Sequence, residues 1–410
     1  MNKKWQLRKI SDLGRVVTGK TPLTINPDFF GGDYLFITPS DIDFSNYYCR
    51  ATEKTVTELA RERHRNQFIP TGSVIFTCIG NTIGKCAIAP ADCLTNQQMN
   101  SVVPNEATDT KFVYYLLCNH VDFIRRLGGG AATPIINKTT FQNIELSVPV
   151  ATSTQRLIGE LLSTYDDLIE NNRRRMVLLE ESARLLYREW FVRLRFPGHE
   201  STRIVNGVPE GWRKVTLGEL STKIGSGVTP RGGDASYLTE GVPLIRSMNI
   251  YDDHFDADGL AFISDDQAAR MSNVTVQSRD ILINITGASV ARCCMAPDRF
   301  VPARVNQHVM IIRVDPANSA PCFVHAAINS DDRKRQLLSY AQKGSTREAL
   351  TKDALSNFEI TLPTPELVAH FGEIAECSFL QRETLALQNQ KLRTARDLLL
   401  PKLMSGEIEV

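Results

Sequence analysis

The chain has 410 residues, of which 42% are hydrophobic and 23% are charged, and 47 Lys and Arg against 46 Asp and Glu give a net charge of +1. That length accommodates two or three domains, and the charge balance argues against a uniformly basic nucleic-acid coat. The N-terminal segment lacks the apolar core of a signal peptide, and no apolar run reaches the roughly 18 residues of a membrane span. We therefore expect a cytoplasmic protein without membrane contact.

The cysteines indicate a reducing compartment. There are nine of them, an odd number, and no two form a Cys-x-x-Cys pair. A zinc site needs Cys or His ligands clustered at short spacing, and the seven histidines are scattered. We predict buried, free thiols and no metal site.

An internal repeat with a period of about half the chain organises the sequence. Its segments recur in the same order in both halves, with small shifts that loop insertions would produce. The matching pairs are Gly19-Lys20-Thr21-Pro22 with Gly227-Val228-Thr229-Pro230, VIFTCIGNTIGKCAIAP (74–90) with ILINITGASVARCCMAP (281–297), Asn96-Gln97-Gln98 with Asn306-Gln307-His308, and FQNIELSVPV (141–150) with LSNFEITLPT (355–364). The repeat predicts two copies of one structural unit.

The first part of each copy has the pattern of a mixed α+β domain. Short apolar runs bounded by Gly, Pro, Asn or Asp, such as 73–80 and 279–287, are typical of strands. A helical pattern follows at 108–127 and again at 320–342.

The second part of each copy is predicted to be one long helix. Residues 152–195 contain no Pro and a single Gly, and the counterpart runs from Glu366 to about Leu400. Apolar residues at the three-to-four spacing of a coiled coil predict that the two helices pack against each other. The predicted interface residues are Leu161, Tyr165, Leu168, Leu179, Leu186, Leu385, Leu392 and Leu399.

The predicted fold class is therefore α+β: two mixed α/β domains joined by two long helices, with an internal pseudo-two-fold repeat. The predicted boundaries are 1–150 for the first domain, 151–200 for the central helix and linker, 201–365 for the second domain and 366–410 for the C-terminal helix.

No catalytic motif occurs in the sequence with the flanking residues that its chemistry requires. Residues 14–21 match the phosphate-binding pattern G-x-x-x-x-G-K-[ST], but Pro22 and Pro27 follow where that loop requires a helix, and the second copy lacks the lysine. Metal-dependent nuclease, DNA amino-methyltransferase and Gly-x-Ser-x-Gly hydrolase motifs are absent from the sequence. We predict no catalytic residue in this chain.

Many of the remaining polar side chains are of the types that contact DNA. Arg pairs with guanine, Asn and Gln pair with adenine, and Lys, Ser and Thr suit phosphate. The candidate DNA-binding residues are Lys20, Thr21, Arg63, Arg65, Asn81, Thr82, Lys85, Gln98, Lys138, Arg231, Arg246, Asn249, Ser289, Arg292, His308, Ser345, Thr346 and Arg347.

The doubled order of these segments resembles the specificity (S) subunits of type I restriction–modification enzymes. The residues that carry the resemblance are Thr18–Pro22 and Ser226–Pro230, Ile37–Ile42 and Ile245–Ile250, Gly80–Gly84 and Thr286–Ser289, the two Asn-Gln turns, and Leu399–Ile408. The resemblance implies two mixed α/β target-recognition domains joined by two long antiparallel helices (a coiled coil), and these helices would form the subunit interfaces. It implies a non-catalytic subunit that reads a bipartite, asymmetric site in double-stranded DNA. It also implies two methyltransferase partners, joined by restriction subunits that translocate DNA. S-adenosylmethionine, ATP and Mg²⁺ would then belong to those partners, and this chain would bind no cofactor.

Three other hypotheses remain open from the sequence. The chain could serve a related restriction system in which methyltransferase and nuclease are fused. It could be a nucleotide-binding protein that uses residues 14–21, or a coiled-coil scaffold without a role on DNA.

Overall fold

The computed structural model describes residues 4–43, 47–129, 133–342 and 349–410. The chain divides into two units. Unit 1 comprises Met1–Asn171 and Gln388–Val410, and unit 2 comprises Asn172–Leu387. Each unit therefore contains one mixed domain and a part of each long helix.

The mixed domain of unit 1 is built on two four-stranded sheets. Its elements are β1 (Trp5–Lys9), α1 (Ile10–Leu13), β2 (Gly14–Thr18), β3 (Phe30–Ile37), β4 (Lys54–Val56), α2 (Glu58–Arg63), β5 (Phe68–Ile69), β6 (Val74–Thr77), β7 (Cys86–Ile88), β8 (Cys93–Thr95), β9 (Met99–Pro104), α3 (Thr110–Asn119), α4 (Val121–Arg126), α5 (Lys138–Gln142) and β10 (Glu145–Pro149). The first sheet has the strand order β2-β9-β6-β7 and is antiparallel. The second has the order β4-β3-β8-β5 with β3 and β8 parallel, and β1 pairs with β10.

The mixed domain of unit 2 repeats this topology. The elements that follow β10 are α6 (Thr152–Tyr187), which ends in a π-helical turn at Arg188–Val192, β11 (Ile204–Val205), β12 (Val208–Pro209), β13 (Arg213–Thr216), α7 (Leu217–Leu220), β14 (Ser221–Ser226), β15 (Val242–Ile245), β16 (Ala261–Ile263), α8 (Asp265–Arg270), β17 (Thr275–Val276), β18 (Ile281–Asn284), β19 (Cys293–Met295), β20 (Ala303–Val305), β21 (Val309–Val314), α9 (Pro321–Asn329), α10 (Asp331–Gln342), α11 (Lys352–Ser356), β22 (Glu359–Leu362) and α12 (Pro365–Ser405). Its sheets have the orders β14-β21-β18-β19 and β16-β15-β20-β17, and β13 pairs with β22. The predicted internal repeat and fold class are thus confirmed.

The central strands β6 and β18 are mostly apolar because both of their faces are covered. All four residues of β6 are buried. Val74 and Phe76 face a core shared with α3, whereas Ile75 faces the core against the second sheet. In unit 2, Ile283 of β18 likewise faces the core that contains α9, and Leu282 faces the core against the second sheet.

The two long helices run antiparallel within each unit. In unit 1, Asp166 of α6 pairs with Arg396 of α12, and Asn389 Nδ2 donates to the Ile169 carbonyl at 3.4 Å. In unit 2, Arg382 of α12 lies 3.1 Å from Glu180 of α6. Later residues of α6 thus meet earlier residues of α12, as the sequence predicted.

The predicted seam on α6 is wrong by one position in its first half. Leu161 and Leu168 are 39% and 46% exposed, whereas Leu162 and Ile169 are 0% and 3% exposed. The reason at Leu161 is that α6 also packs on the domain of unit 1: Ile158 and Leu162 belong to the core of that domain, so the residue after Leu161 faces inward. Of the other predicted positions, Leu385 is buried, and the half-buried ones are Tyr165, Leu179, Leu186, Leu392 and Leu399.

The nine cysteines are free thiols, as expected, and seven of them are buried. Burial raises the pKa of Cys49 and of Cys78 to about 12, so these thiols stay protonated. Cys118 is half-buried and Cys377 is exposed, so the prediction of burial is wrong for Cys377. No group of His, Cys, Asp and Glu among the described residues could hold a metal ion, and no helix in that part of the chain could span a membrane.

Candidate nucleic-acid interface

The Gly-x-Thr-Pro turn of each copy lies directly against the Asn-Gln turn of the same copy. Lys20 N donates to the Thr95 carbonyl at 2.8 Å, and Val228 N donates to the Val305 carbonyl at 3.1 Å. A Cβ on Gly19 would lie 2.2 Å from Thr95 Oγ1, and one on Gly227 would lie 2.0 Å from the Val305 carbonyl oxygen. Close backbone approach therefore explains why both copies carry glycine. Residues 19–26 contain no helix, unlike a phosphate-binding loop.

Each Asn-Gln turn points its middle side chain into solvent. Asn96 Oδ1 accepts from Gln98 N at 3.0 Å, and Asn306 Oδ1 accepts from His308 N at 3.1 Å. This turn leaves Gln97 and Gln307 exposed. Each exposed amide also has one neighbour in its own copy, because Gln97 Oε1 accepts from Thr21 Oγ1 at 2.6 Å and Gln307 Nε2 lies 3.2 Å from His308 Nε2.

The residues predicted from the sequence are the neighbours of these exposed glutamines. Gln98 and His308 are half-buried, and His308 Nδ1 lies 2.7 Å from Thr286 Oγ1. The sequence signal for the exposed glutamine is the asparagine that precedes it. The asparagine side chain accepts a hydrogen bond from the backbone N–H two residues later, and this turn directs the side chain of the residue between them outward.

A backbone ladder connects the Asn-Gln turn to the rest of the edge in both copies. Cys78 N donates to the Gln98 carbonyl, and Ile136 N donates to the Cys78 carbonyl, both at 2.9 Å. In unit 2, Ile285 N donates to the His308 carbonyl at 2.9 Å, and Leu350 N donates to the Ile285 carbonyl at 2.8 Å. We call the Gly-x-Thr-Pro turn, the Asn-Gln turn and this ladder the recognition edge of each copy.

Cationic side chains flank the recognition edge of unit 1. Thr21 Oγ1 donates to Gln97 Oε1 at 2.6 Å, which places exposed Lys20 beside Gln97. Burial lowers the pKa of His64, and the nearby charges of Lys20 and Arg63 lower it further. The structure thus brings Lys20 and Thr21 together with Gln97, and the charges of Lys20 and Arg63 both act on His64.

The turn after β6 forms the other side of this edge. Gly80 N donates to the Pro134 carbonyl at 2.8 Å, and Asn81 is exposed. Thr82 Oγ1 donates to Ile79 O at 2.7 Å, and Lys85 Nζ donates to Pro39 O at 2.9 Å, so both side chains also support local loops.

Two predicted residues of unit 2 contact their own domain, and Asn249 is buried whereas Arg246 is half-buried. Asn249 is 0% exposed, and its Oδ1 accepts from Arg246 N while its Nδ2 donates to Asp256 O, both at 3.0 Å. Asn249 cannot reach DNA, and its prediction as a DNA-binding residue is corrected: its amide satisfies loop backbone. Arg246 donates to Gly259 O at 2.6 Å and lies over the Tyr237 ring.

The remaining predicted residues differ in exposure. Ser289 Oγ accepts from Asn284 Nδ2 at 3.2 Å, and the Arg292 guanidinium lies 4.7 Å from the centre of the Tyr251 ring. The exposed cationic residues among those predicted are Lys20, Arg63, Arg65, Lys138 and Arg231. Ser345, Thr346 and Arg347 lie outside the described residues.

The doubled fold and doubled edge define a protein with two like recognition domains in one chain. A family model described as the type I restriction modification DNA specificity domain matches residues 2–181 and again 209–370. The chain belongs to this family, which confirms the resemblance seen in the sequence.

Individual relatives agree with this assignment. The type I restriction enzyme MjaIX specificity subunit of Methanocaldococcus jannaschii is 26% identical over 420 residues, which cover 100% of this chain and 94% of that protein. The HindI specificity subunit of Haemophilus influenzae is 28% identical over 176 residues, 41% of this chain and 38% of that protein. The crystal structure of a type I restriction–modification S subunit from M. genitalium has the same fold, with a TM-score of 0.59 at 16% identity, covering 98% of this chain and 97% of that one.

Proposed function

We propose that this chain is the specificity subunit of a type I restriction–modification complex and that each recognition edge reads one half of a bipartite, asymmetric DNA target. Membership of the family makes it a DNA-recognition subunit of such a system. The observation that carries the proposal is the repeated edge, with an exposed glutamine on the same asparagine-capped turn in both copies.

The exposed side chains of the edges suit base and phosphate contacts. A glutamine amide matches the N6 and N7 atoms of adenine in the major groove, and an arginine matches guanine. Lys20 and Lys138 are exposed and suit phosphates, which fix the protein on the duplex without reading sequence.

The two edges carry different side chains, which favours an asymmetric target. Lys20 in the first copy corresponds to Val228 in the second, and Gln98 corresponds to His308. Two unlike readers in one chain would select two unlike half-sites.

We infer that the chain has no catalytic site and works through partners. Exposed apolar side chains on the long helices are suited to hold other subunits, and they include Leu161 and Leu168 of α6 and Leu387 and Leu398 of α12. In the proposed complex two methyltransferase subunits dock there and restriction subunits join them. Those partners supply the sites for S-adenosylmethionine, ATP and Mg²⁺.

Exchange of one domain tests the proposal. Residues 201–365 are replaced by the corresponding domain of another specificity subunit, and the chimera is co-expressed with the methyltransferase subunit. Mapping of methylated bases should show one half of the target changed and the other half retained. The reciprocal exchange of residues 1–150 should alter the retained half. A change in both halves after either exchange would contradict modular reading.

A further inference from the structure

Unit 2 contains a cavity of about 540 Å³ between α6, α9, α10 and α12, away from the recognition edge. Its volume lies within the range of about 300–1,000 Å³ that is usual for small-molecule sites. One part of its lining is apolar, and the other is polar. The lining includes Ala326, Phe371 and Phe379 on the apolar side, and Glu180 and Arg382 on the polar side.

The corresponding space in unit 1 is filled by tyrosines of the chain itself. Helices α3 and α9 share a Phe-Val pair, at 112–113 and 323–324, and all four residues are 0% exposed. The next two residues are Tyr114 and Tyr115 in α3, but His325 and Ala326 in α9. Unit 2 therefore lacks both phenol rings at this position.

Tyr115 shows how the fold holds a phenol in unit 1. It is 1% exposed, its hydroxyl donates to the Asp166 carboxylate of α6, and its ring stacks on Tyr47 with 5.9 Å between ring centres. In unit 2 the nearest phenol of the chain is Tyr187 of α6, whose ring centre lies 5.9 Å from that of Phe323 and 5.8 Å from that of Phe371. At the position of Tyr115 itself, Ala326 supplies no ring and no hydroxyl.

The polar side of the cavity offers both kinds of partner that a hydroxyl needs. Glu180 of α6 carries a carboxylate whose side chain is 27% exposed, and Arg382 lies beside it at 3.1 Å. Arg382 Nε is buried and finds no hydrogen-bond partner among the described residues. A buried donor without a partner is costly, and a ligand oxygen would satisfy it.

We propose that this cavity is a binding site for a small phenol, a single aromatic ring with one hydroxyl group. The ring packs against Ala326, Phe371 and Phe379. The hydroxyl donates to the Glu180 carboxylate and accepts from Arg382 Nε. The site is independent of DNA reading, because none of these residues belongs to the recognition edge.

Calorimetric titration of the full chain with phenol tests the proposal, with toluene as a ligand of matched size that lacks the hydroxyl. We expect saturable binding of phenol. Toluene should bind at least about tenfold more weakly, because it lacks the hydrogen-bonding hydroxyl group. Absence of saturable phenol binding would overturn the proposal, and so would equal affinity for toluene.

Variants locate the bound phenol. Ala326→Tyr restores the residue of unit 1 and should abolish phenol binding. Ala326→Leu, which fills less of the cavity, should weaken binding and serves if the tyrosine variant does not fold by circular dichroism. Ala317→Tyr places the same ring at an exposed position of the same unit and should leave binding unchanged. Binding to a folded Ala326→Tyr chain with wild-type affinity would overturn the assignment.

Discussion

Asp166 on α6 and Arg396 on α12 form an ion pair inside unit 1, and their side chains are only 3% and 15% exposed. Asp166 also accepts the hydroxyl hydrogen bond of Tyr115 on α3. One carboxylate thereby links both long helices to the mixed domain. A charge in such a place is stable only while its partners remain.

Loss of Arg396 should therefore destabilise the chain strongly. Arg396→Met keeps an unbranched side chain but leaves Asp166 charged and buried, and we expect a loss of about 3 kcal/mol in the free energy of unfolding. Urea denaturation measures it. Lys4→Ala breaks the Lys4–Glu409 pair of the same unit, whose side chains are 70% and 68% exposed, and should cost less than about 1 kcal/mol. Equal losses in the two variants would contradict this account.

The exposed glutamines should determine the sequence of one half-site each. Gln97→Ala should relax base selection in one half of the target, and Gln307→Ala should relax it in the other, each by about 1–3 kcal/mol of discrimination. Competition binding of the assembled complex to single-base variants of its target measures the effect. If Gln97→Ala weakened base discrimination equally in both halves of the target, Gln97 would not contact the bases of one half-site.

Lys20 should contribute affinity without selectivity. Lys20→Ala should weaken binding to all DNA sequences alike and reduce the slope of log affinity against log salt by about 0.9. A salt titration of the complex on specific and non-specific duplexes provides the measurement. The nucleotide-binding hypothesis predicts instead that the wild-type chain binds ATP and that this variant does not.

The close approach of the two turns should make Gly227 intolerant of any side chain. A Cβ at Gly227 would meet the Val305 carbonyl oxygen at 2.0 Å, whereas one at Gly225 would meet nothing within 4 Å. We expect Gly227→Ala to destabilise unit 2 by about 1–3 kcal/mol and to weaken DNA binding. Gly225→Ala, two residues away, should be neutral within about 0.5 kcal/mol. Thermal unfolding that failed to separate the two variants would refute the proposed contact.

Burial of His325 should make the chain less stable in mild acid. Burial lowers the pKa of His325 in the folded state, although Asp253 partly opposes the shift. The unfolded chain takes up a proton below about pH 6.5 that the folded state resists. This contribution is complete above that pH and is lost as the pH falls.

His325→Gln should reduce the dependence of the free energy of unfolding on pH between about 5 and 6.5. Some dependence should remain, because burial also lowers the pKa of His254 and of His64. Urea denaturation across this pH range compares the variant with the wild type. An unchanged pH profile would show that His325 takes up protons equally in both states.

The fold was largely predictable because the sequence repeats and the element patterns are local. Buried strands such as β6 and β18 appear as apolar runs, and the long helices appear as segments almost free of Pro and Gly. The seam of α6 was not predictable in the same way. Leu161 and Leu162 are adjacent and equally apolar, and only the packing of α6 on the domain of unit 1 decides which of them is buried.

The candidate interface was predictable in position but not in individual side chains. Both Asn-Gln turns were found by their repetition, but composition could not tell the capping asparagine from the exposed glutamine. Asn249 was misassigned because a buried amide that holds loop backbone has the same sequence signature as one that reads a base. Exposure depends on contacts that are distant in sequence.

Mapping of methylated bases in DNA modified by the complete wild-type complex tests the central claim most directly. The account predicts a target of two unlike half-sites separated by a fixed spacer, with centres about one helical turn, roughly 10 bp, apart. A single continuous motif or a palindrome would contradict the assignment of one recognition edge to each half-site.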